Sequence, residues 1–85
     1  MALQVRIVSR ESELFSGEAD YVSVPSVSGS LGVLPGREPV LAALKPGKVV
    51  IRSTDGDTTE FDVSEGFASV DSDVVSVVVD EKLGD

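Results

Sequence analysis

Apolar and polar residues alternate with a period of two through most of this sequence. Leu3, Val5 and Ile7 alternate with Gln4 and Arg6 at the start of the chain. Such alternation is typical of β-strands with one buried face, and the many valines suit a half-buried pleated surface. The pattern returns around 22–24, 49–51, 59–63 and 75–79. It predicts an all-β chain.

Turn signals separate these runs at short intervals. They are Ser16-Gly17, Ser28-Gly29, Pro35-Gly36, Pro46-Gly47, Asp55-Gly56-Asp57, Glu65-Gly66 and Asp71-Ser72-Asp73. Many short strands with regular turns predict a sandwich or a barrel. Residues 40–45 contain helix formers but lie between two prolines, which favours a short strand or an irregular extended piece. Residues 82–85 are predicted to be a frayed end.

Length, charge and composition exclude several classes of protein. Eighty-five residues predict a single domain, residues 1–85. The net charge of −8 argues against nucleic acid and against adsorption to an anionic membrane, both of which recruit lysine and arginine. The sequence contains no cysteine and no histidine. Its longest apolar stretch, 74–79, is far below the ~20 residues of a membrane helix, so we expect no membrane insertion.

Motifs that suggest chemistry are weak. The glycine-rich run 29–36 lacks the lysine, hydroxyl and helix of a phosphate loop, so we expect no tight nucleotide binding. Asp55-Gly56-Asp57 and 71–73 lack the ligand spacing of a calcium loop and are better explained as turns. Lys48 resembles a lipoyl-carrier lysine, but it enters a valine strand rather than a hairpin tip. We predict no catalytic residue, no metal site and no cofactor.

The stretch from Gly29 to Leu41, GSLGVLPGREPVL, resembles the signature of the epsilon subunit of F-type ATP synthase. That signature has a glycine, a polar residue, Leu-Gly, an apolar pair, Pro-Gly, a variable pair and Pro-Leu or Pro-Val. Leu44-Lys45-Pro46-Gly47, Phe15-Ser16-Gly17 and Gly66-Phe67 match further family elements in order. The resemblance extends from Leu3 to about Asp80 and implies a ten-stranded β-sandwich of two sheets.

The resemblance also implies a function. The family member is a non-catalytic rotor subunit of the central stalk, at the cytoplasmic face of the cell membrane. It clamps the gamma subunit to the membrane rotor ring and couples proton transport to ATP synthesis. Residues matching the ring contact are Ser28, Gly29, Ser30 and Leu31, and those matching the gamma contact are Pro39, Val40, Leu41, Ala43 and Leu44.

The chain departs from the family pattern at three places. Many relatives carry glutamate at the position of Ser30 and histidine at that of Arg37, so Ser30 offers only a neutral hydrogen bond. The family usually continues into two C-terminal helices, whereas this sequence stops at Asp85. We therefore expect a short form that cannot act as an arm-type inhibitor of rotation. The alternatives are a free-standing acidic β-sandwich that binds proteins and a small hydrolase that uses carboxylates only.

Overall fold

The structure is a computed structural model that describes residues 2–84. In these residues every regular element is a β-strand, as the alternation predicts. The strands are β1 Leu3–Val8, β2 Glu13–Ser26, β3 Gly29–Val33, β4 Val40–Leu44, β5 Gly47–Ser53, β6 Thr58–Val63, β7 Gly66–Asp71, β8 Val74–Val79 and β9 Lys82–Leu83.

The strands form one hydrogen-bonded sheet that folds over into two layers. Its order is β1-β8-β7-β4-β2-β5-β6-β9, with β3 pairing β2. The long strand β2 joins the layers, because Glu13 to Ala19 pair with β1 while Val22 to Ser26 pair with β3. The result is a β-sandwich, the predicted fold class.

The core lies between the layers and consists almost entirely of aliphatic side chains. The predicted inward residues of β1, Leu3, Val5 and Ile7, are at most 3% exposed. The other buried apolar residues are Ala19, Val22, Val24, Val33, Leu44, Val49, Ile51, Val63, Ala68, Val70, Val75, Val77 and Val79. The period-two pattern therefore identified the buried face of β1, β5, β6 and β8 and of residues 22–24 in β2.

Residues 2–84 contain nine strands, whereas ten were predicted. The difference lies in β2, which is 14 residues long and has a register shift against β5 between Ala19 and Tyr21. A count that divides β2 at this irregularity gives ten strands. The predicted turn at Ser16-Gly17 is wrong, because both residues pair with β1 inside β2.

The predicted frayed end is also wrong for residues 82 and 83. Asp62 pairs with Leu83 and Val63 with Lys82, which makes β9 the outer neighbour of β6. Two hydrogen bonds join Ser64 to Glu81 just before β9: Ser64 N to Glu81 O at 3.0 Å, and Glu81 N to Ser64 Oγ at 2.8 Å. Asp85 lies outside the described residues.

Residues 40–44 form a short strand, which was one of the two forms expected between the flanking prolines. β4 pairs along its length with β7, from Val40 opposite Val70 to Leu44 opposite Gly66. At its far end, Leu44 also pairs with Ser26 of β2. β4 thus connects the β8-β7 layer to the long strand that enters the other layer.

Candidate protein-interaction surfaces

Large apolar side chains are exposed on the outer face of β4, β7 and β8. Leu41 is 74% exposed, Phe67 59% and Val78 54%. The strand register places Ala43 opposite Phe67 and Phe67 opposite Val78, so these three form one row across the sheet. Leu41 lies two residues before Ala43 on the same face. We call Leu41, Ala43, Phe67 and Val78 the apolar stripe.

The sequence of β8 explains why this face is apolar. Val75, Val77 and Val79 point into the core, yet Val74 and Val78 on the other face are also valines. Apolar residues on both faces are typical of a strand that is covered on both sides. In residues 2–84 nothing covers the outer face. Exposed apolar patches of this kind mark protein interaction sites.

Charged residues border one end of the apolar stripe. The Arg10 guanidinium lies 3.3 Å from the Asp80 carboxylate in an exposed ion pair. Arg10, Glu65 and Asp80 line a shallow groove together with Phe67 and Val78. An apolar centre with a charged rim is the usual composition of a protein interface.

The β2–β3 hairpin forms a second exposed surface. Ser28, Gly29 and Ser30 are exposed, whereas Leu31 is half-buried and packs against the core. At the tip, Val27 is 60% exposed, and its amide donates to the Ala43 carbonyl at 2.9 Å. This hydrogen bond places the hairpin directly beside the end of β4.

The residues predicted to contact the gamma subunit occupy different environments. Pro39, Leu41 and Ala43 are exposed, and Val40 is half-buried. Leu44 is only 3% exposed because it belongs to the core, so its side chain supports β4 from inside and offers no contact surface. The structure thus places the Leu44 side chain in the core, and its part in the gamma contact stays a prediction.

Sequence reasoning missed Phe67 and Val78 as surface residues. A signal was present, since alternation in the Val74–Val79 strand puts valines on both of its faces. The aromatic residue after Gly66 was a second signal. Gly66 itself allows the strands to meet closely, because a methyl group there would overlap the Val78 carbonyl and lie 2.7 Å from Val79 Cα.

The structure gives a different explanation for the segments that resemble a phosphate loop, a calcium loop or a lipoyl-carrier lysine. Residues 29–36 form β3 and a turn, with no helix following. Asp55 accepts a hydrogen bond from the Asp57 amide at 3.1 Å inside a turn, and Lys48 lies 3.4 Å from Glu60 on the next strand. Within residues 2–84, no group of three or more acidic, histidine or cysteine side chains is arranged to hold a metal ion. Over the same residues, no helix has the length and apolar character needed to span a membrane.

Comparison with known families gives a match over nearly the whole chain. Residues 2–83 match the sequence model of the family described as "ATP synthase, Delta/Epsilon chain, beta-sandwich domain". The chain is 48% identical over 84 residues to the ATP synthase epsilon chain of Micrococcus luteus, covering 98% of this chain and 92% of that one. It is 43% identical over 82 residues to the epsilon chain of a Janthinobacterium species.

The relatives differ in length. This chain spans 59% of the Janthinobacterium epsilon chain and 57% of the one from Bordetella petrii. Among solved structures, a chain of the Euglena gracilis mitochondrial ATP synthase (OSCP/F1/c-ring) matches with a TM-score of 0.89 at 21% identity. That match covers 96% of this chain and 52% of the other, and at this identity it shows a shared fold.

Proposed function

Because this chain belongs to the family of the ATP synthase delta/epsilon β-sandwich domain, we propose that it clamps the gamma subunit to the membrane rotor ring. Its relatives are epsilon chains, which are structural and regulatory subunits rather than catalytic ones. In this role the domain carries torque between head and ring, and so couples proton transport to ATP synthesis. It is held at the cytoplasmic face of the cell membrane by the complex and does not insert into the bilayer.

The observation that carries the proposal is the apolar stripe. Leu41 and Phe67 expose more than half of their surface in a domain that is otherwise strongly acidic. Exposed apolar area of this kind favours burial against a partner protein. Leu41 and Ala43 are among the residues that match the family's gamma contact. We therefore assign the gamma contact to the stripe, extended by Phe67 and Val78.

We assign the ring contact to the β2–β3 hairpin. Ser28 and Ser30 present exposed hydroxyl groups on either side of Gly29, with Val27 exposed at the tip. Gly29 has a φ of 125°, a conformation that other residues rarely adopt. Ser30 contributes a neutral hydrogen-bonding group, which is worth about 0.5–1.5 kcal/mol net.

The two surfaces are mechanically connected. The hairpin is hydrogen-bonded to β4 through Val27 N and Ala43 O, and Ser26 pairs with Leu44. Both segments also rest on the same close-packed aliphatic core, and such cores deform little under load. A stiff link between gamma and ring is what torque transmission requires.

The test is gamma binding by two charge-introducing variants. Leu41→Asp and Phe67→Asp each place a carboxylate in the stripe, where gamma binding would have to desolvate it. Each should weaken the affinity of the 85-residue chain for its cognate gamma subunit by at least about tenfold, as for an interface hot spot. Isothermal titration calorimetry measures the affinity.

Thr58→Asp is the matched control. Thr58 is exposed on β6 in the other layer, so the substitution adds the same charge away from the stripe. It should leave the affinity for gamma within about twofold. Equal losses in all three variants would contradict the assignment of the stripe. A wild-type chain that does not bind gamma would favour the free-standing interaction module instead.

A further inference from the structure

The β7–β8 turn contains two strained residues. Ser72 has a φ of 51° and Asp73 a φ of 65°. Two-residue hairpin turns with positive φ at both positions are usually filled by Asn-Gly or Asp-Gly, because glycine adopts this conformation without strain. Asp73 occupies the position where glycine would be the less strained choice. Strain that persists at one residue points to a contact that this residue makes.

The Asp73 side chain makes such a contact. Its Oδ1 accepts a hydrogen bond of 2.8 Å from the backbone amide of Gly36, 37 residues earlier in the chain. In the described part of the chain, this is the one hydrogen bond that joins residues 34–39 to another element. The Asp73 carbonyl also accepts from the Gln4 amide at 2.8 Å, which anchors the turn to β1. Glycine at position 73 would keep the turn but could not accept the hydrogen bond from the Gly36 amide.

Residues 34–39 lead directly into β4 and the apolar stripe. Pro39 immediately precedes β4, and Val40 pairs with Val70 one residue before the end of β7. The Asp73 carboxylate therefore holds the loop at the end of the stripe where Pro39 and Leu41 lie. Without it, no hydrogen bond in residues 2–84 would join this loop to another element.

We propose that Asp73 is a positioning residue that holds residues 34–39 in place for the gamma contact. The inference rests on the proposed function for its choice of partner. The structural part of the inference does not depend on that partner. The Asp73 carboxylate holds residues 34–39 in one conformation, which a binding partner would otherwise have to order, and this explains why the strained backbone at Asp73 is tolerated. Ordering a mobile segment on binding lowers affinity, and a preformed loop avoids that loss.

Two substitutions separate the side-chain contact from the backbone conformation. Asp73→Gly relieves the positive φ but removes the acceptor. Asp73→Asn tolerates the positive φ and keeps a side-chain oxygen that can accept from Gly36. The readouts are the hydrogen-exchange rate of the Gly36 amide by NMR, the urea midpoint and the affinity for the cognate gamma subunit.

The expected results differ between the two variants. Asp73→Gly should leave the urea midpoint unchanged or raise it, speed Gly36 exchange by at least about tenfold and weaken gamma binding by roughly three- to tenfold. Asp73→Asn should retain slow Gly36 exchange and stay within about twofold of wild-type affinity.

Three outcomes would overturn the inference. In the first, the Gly36 amide exchanges as fast in the wild type as in Asp73→Gly, which would mean that the hydrogen bond to Asp73 does not protect it. In the second, Asp73→Gly lowers the urea midpoint and the affinity together, which shows a merely structural role. In the third, Asp73→Gly binds gamma as tightly as the wild type. A wild-type chain that does not bind gamma instead overturns the proposed function itself.

Discussion

Two phenylalanines in this domain occupy opposite environments, although both lie on strands. Phe61 on β6 is half-buried and packs against the core, opposite Val49 of β5. Phe67 on β7 is 59% exposed in the apolar stripe. Alternation along β6 predicts the inward direction of Phe61 correctly. Alternation does not determine the depth of burial, and Phe61 is only partly buried.

Phe61→Ala should destabilise the 85-residue chain by about 2 kcal/mol. Full burial would predict about 3–5 kcal/mol, and the Phe61 ring is only partly buried before the change. Phe67→Ala removes the same atoms from an exposed site and should cost less than about 1 kcal/mol. Urea denaturation of both variants measures the difference. A loss from Phe67→Ala that equals the loss from Phe61→Ala would show that the stripe is part of the folding core.

At the scale of elements, the buried hydroxyl of Ser64 is one of the groups that hold the last strand. Ser64 is only 6% exposed, and its Oγ accepts from the Glu81 amide and donates to the Glu65 carbonyl at 3.4 Å. Asp80 N donates to Glu65 O at 3.0 Å in the same region. These bonds lead the chain from β8 in one layer to β9 in the other. A two-residue strand has little stability of its own, so the crossing must be held by such contacts.

Ser64→Ala should therefore loosen β9 more than it destabilises the whole domain. The variant loses both hydrogen bonds of the hydroxyl, and the shorter one, from the Glu81 amide, alone predicts a cost of about 0.5–1.5 kcal/mol in unfolding free energy. Amide exchange at Glu81 should rise, whereas amides in β1 and β8 should change only with global stability. Ser69→Ala, at an exposed position of β7, is the matched control and should have no measurable effect. Unchanged exchange at Glu81 would mean that the β6–β9 ladder alone holds the end.

At the scale of the whole molecule, charge opposes the binding of free nucleotide. The chain carries fifteen acidic against seven basic residues, and within residues 2–84 three of the basic residues form exposed ion pairs with acidic ones. A triphosphate would approach a surface of the same sign. The sequence also lacks the glycine, lysine and hydroxyl spacing that cradles phosphates.

Calorimetric titration of the 85-residue chain with ATP should show a dissociation constant weaker than about 1 mM, corresponding to less than about 4 kcal/mol of binding free energy. Titration with inorganic triphosphate controls for adsorption of the phosphates alone. A micromolar dissociation constant for ATP, with no measurable binding of triphosphate, would contradict this prediction and show that the chain recognises the adenosine part of ATP.

The sequence by itself determined the fold class and most of the core. Side chains alternate between the faces of any strand, so Leu3, Val5 and Ile7 had to share one face whatever the tertiary arrangement. The flanking prolines argued against a helix at β4, because a proline restricts the backbone of the residue before it, and this effect is also local. The family signature in residues 29–41 identified the relatives, and the family comparison confirms this assignment.

Only the tertiary structure decided which faces are covered and which distant segments meet. The exposure of Phe67, the burial of Leu44 and the pairing of β9 with β6 depend on strand order, which local patterns do not encode. The bond between Asp73 and Gly36 joins residues 37 positions apart and depends on a turn and a loop reaching the same end of β4. Such contacts form when the sheet closes over the core, and they cannot be predicted from the alternation of residues along the chain.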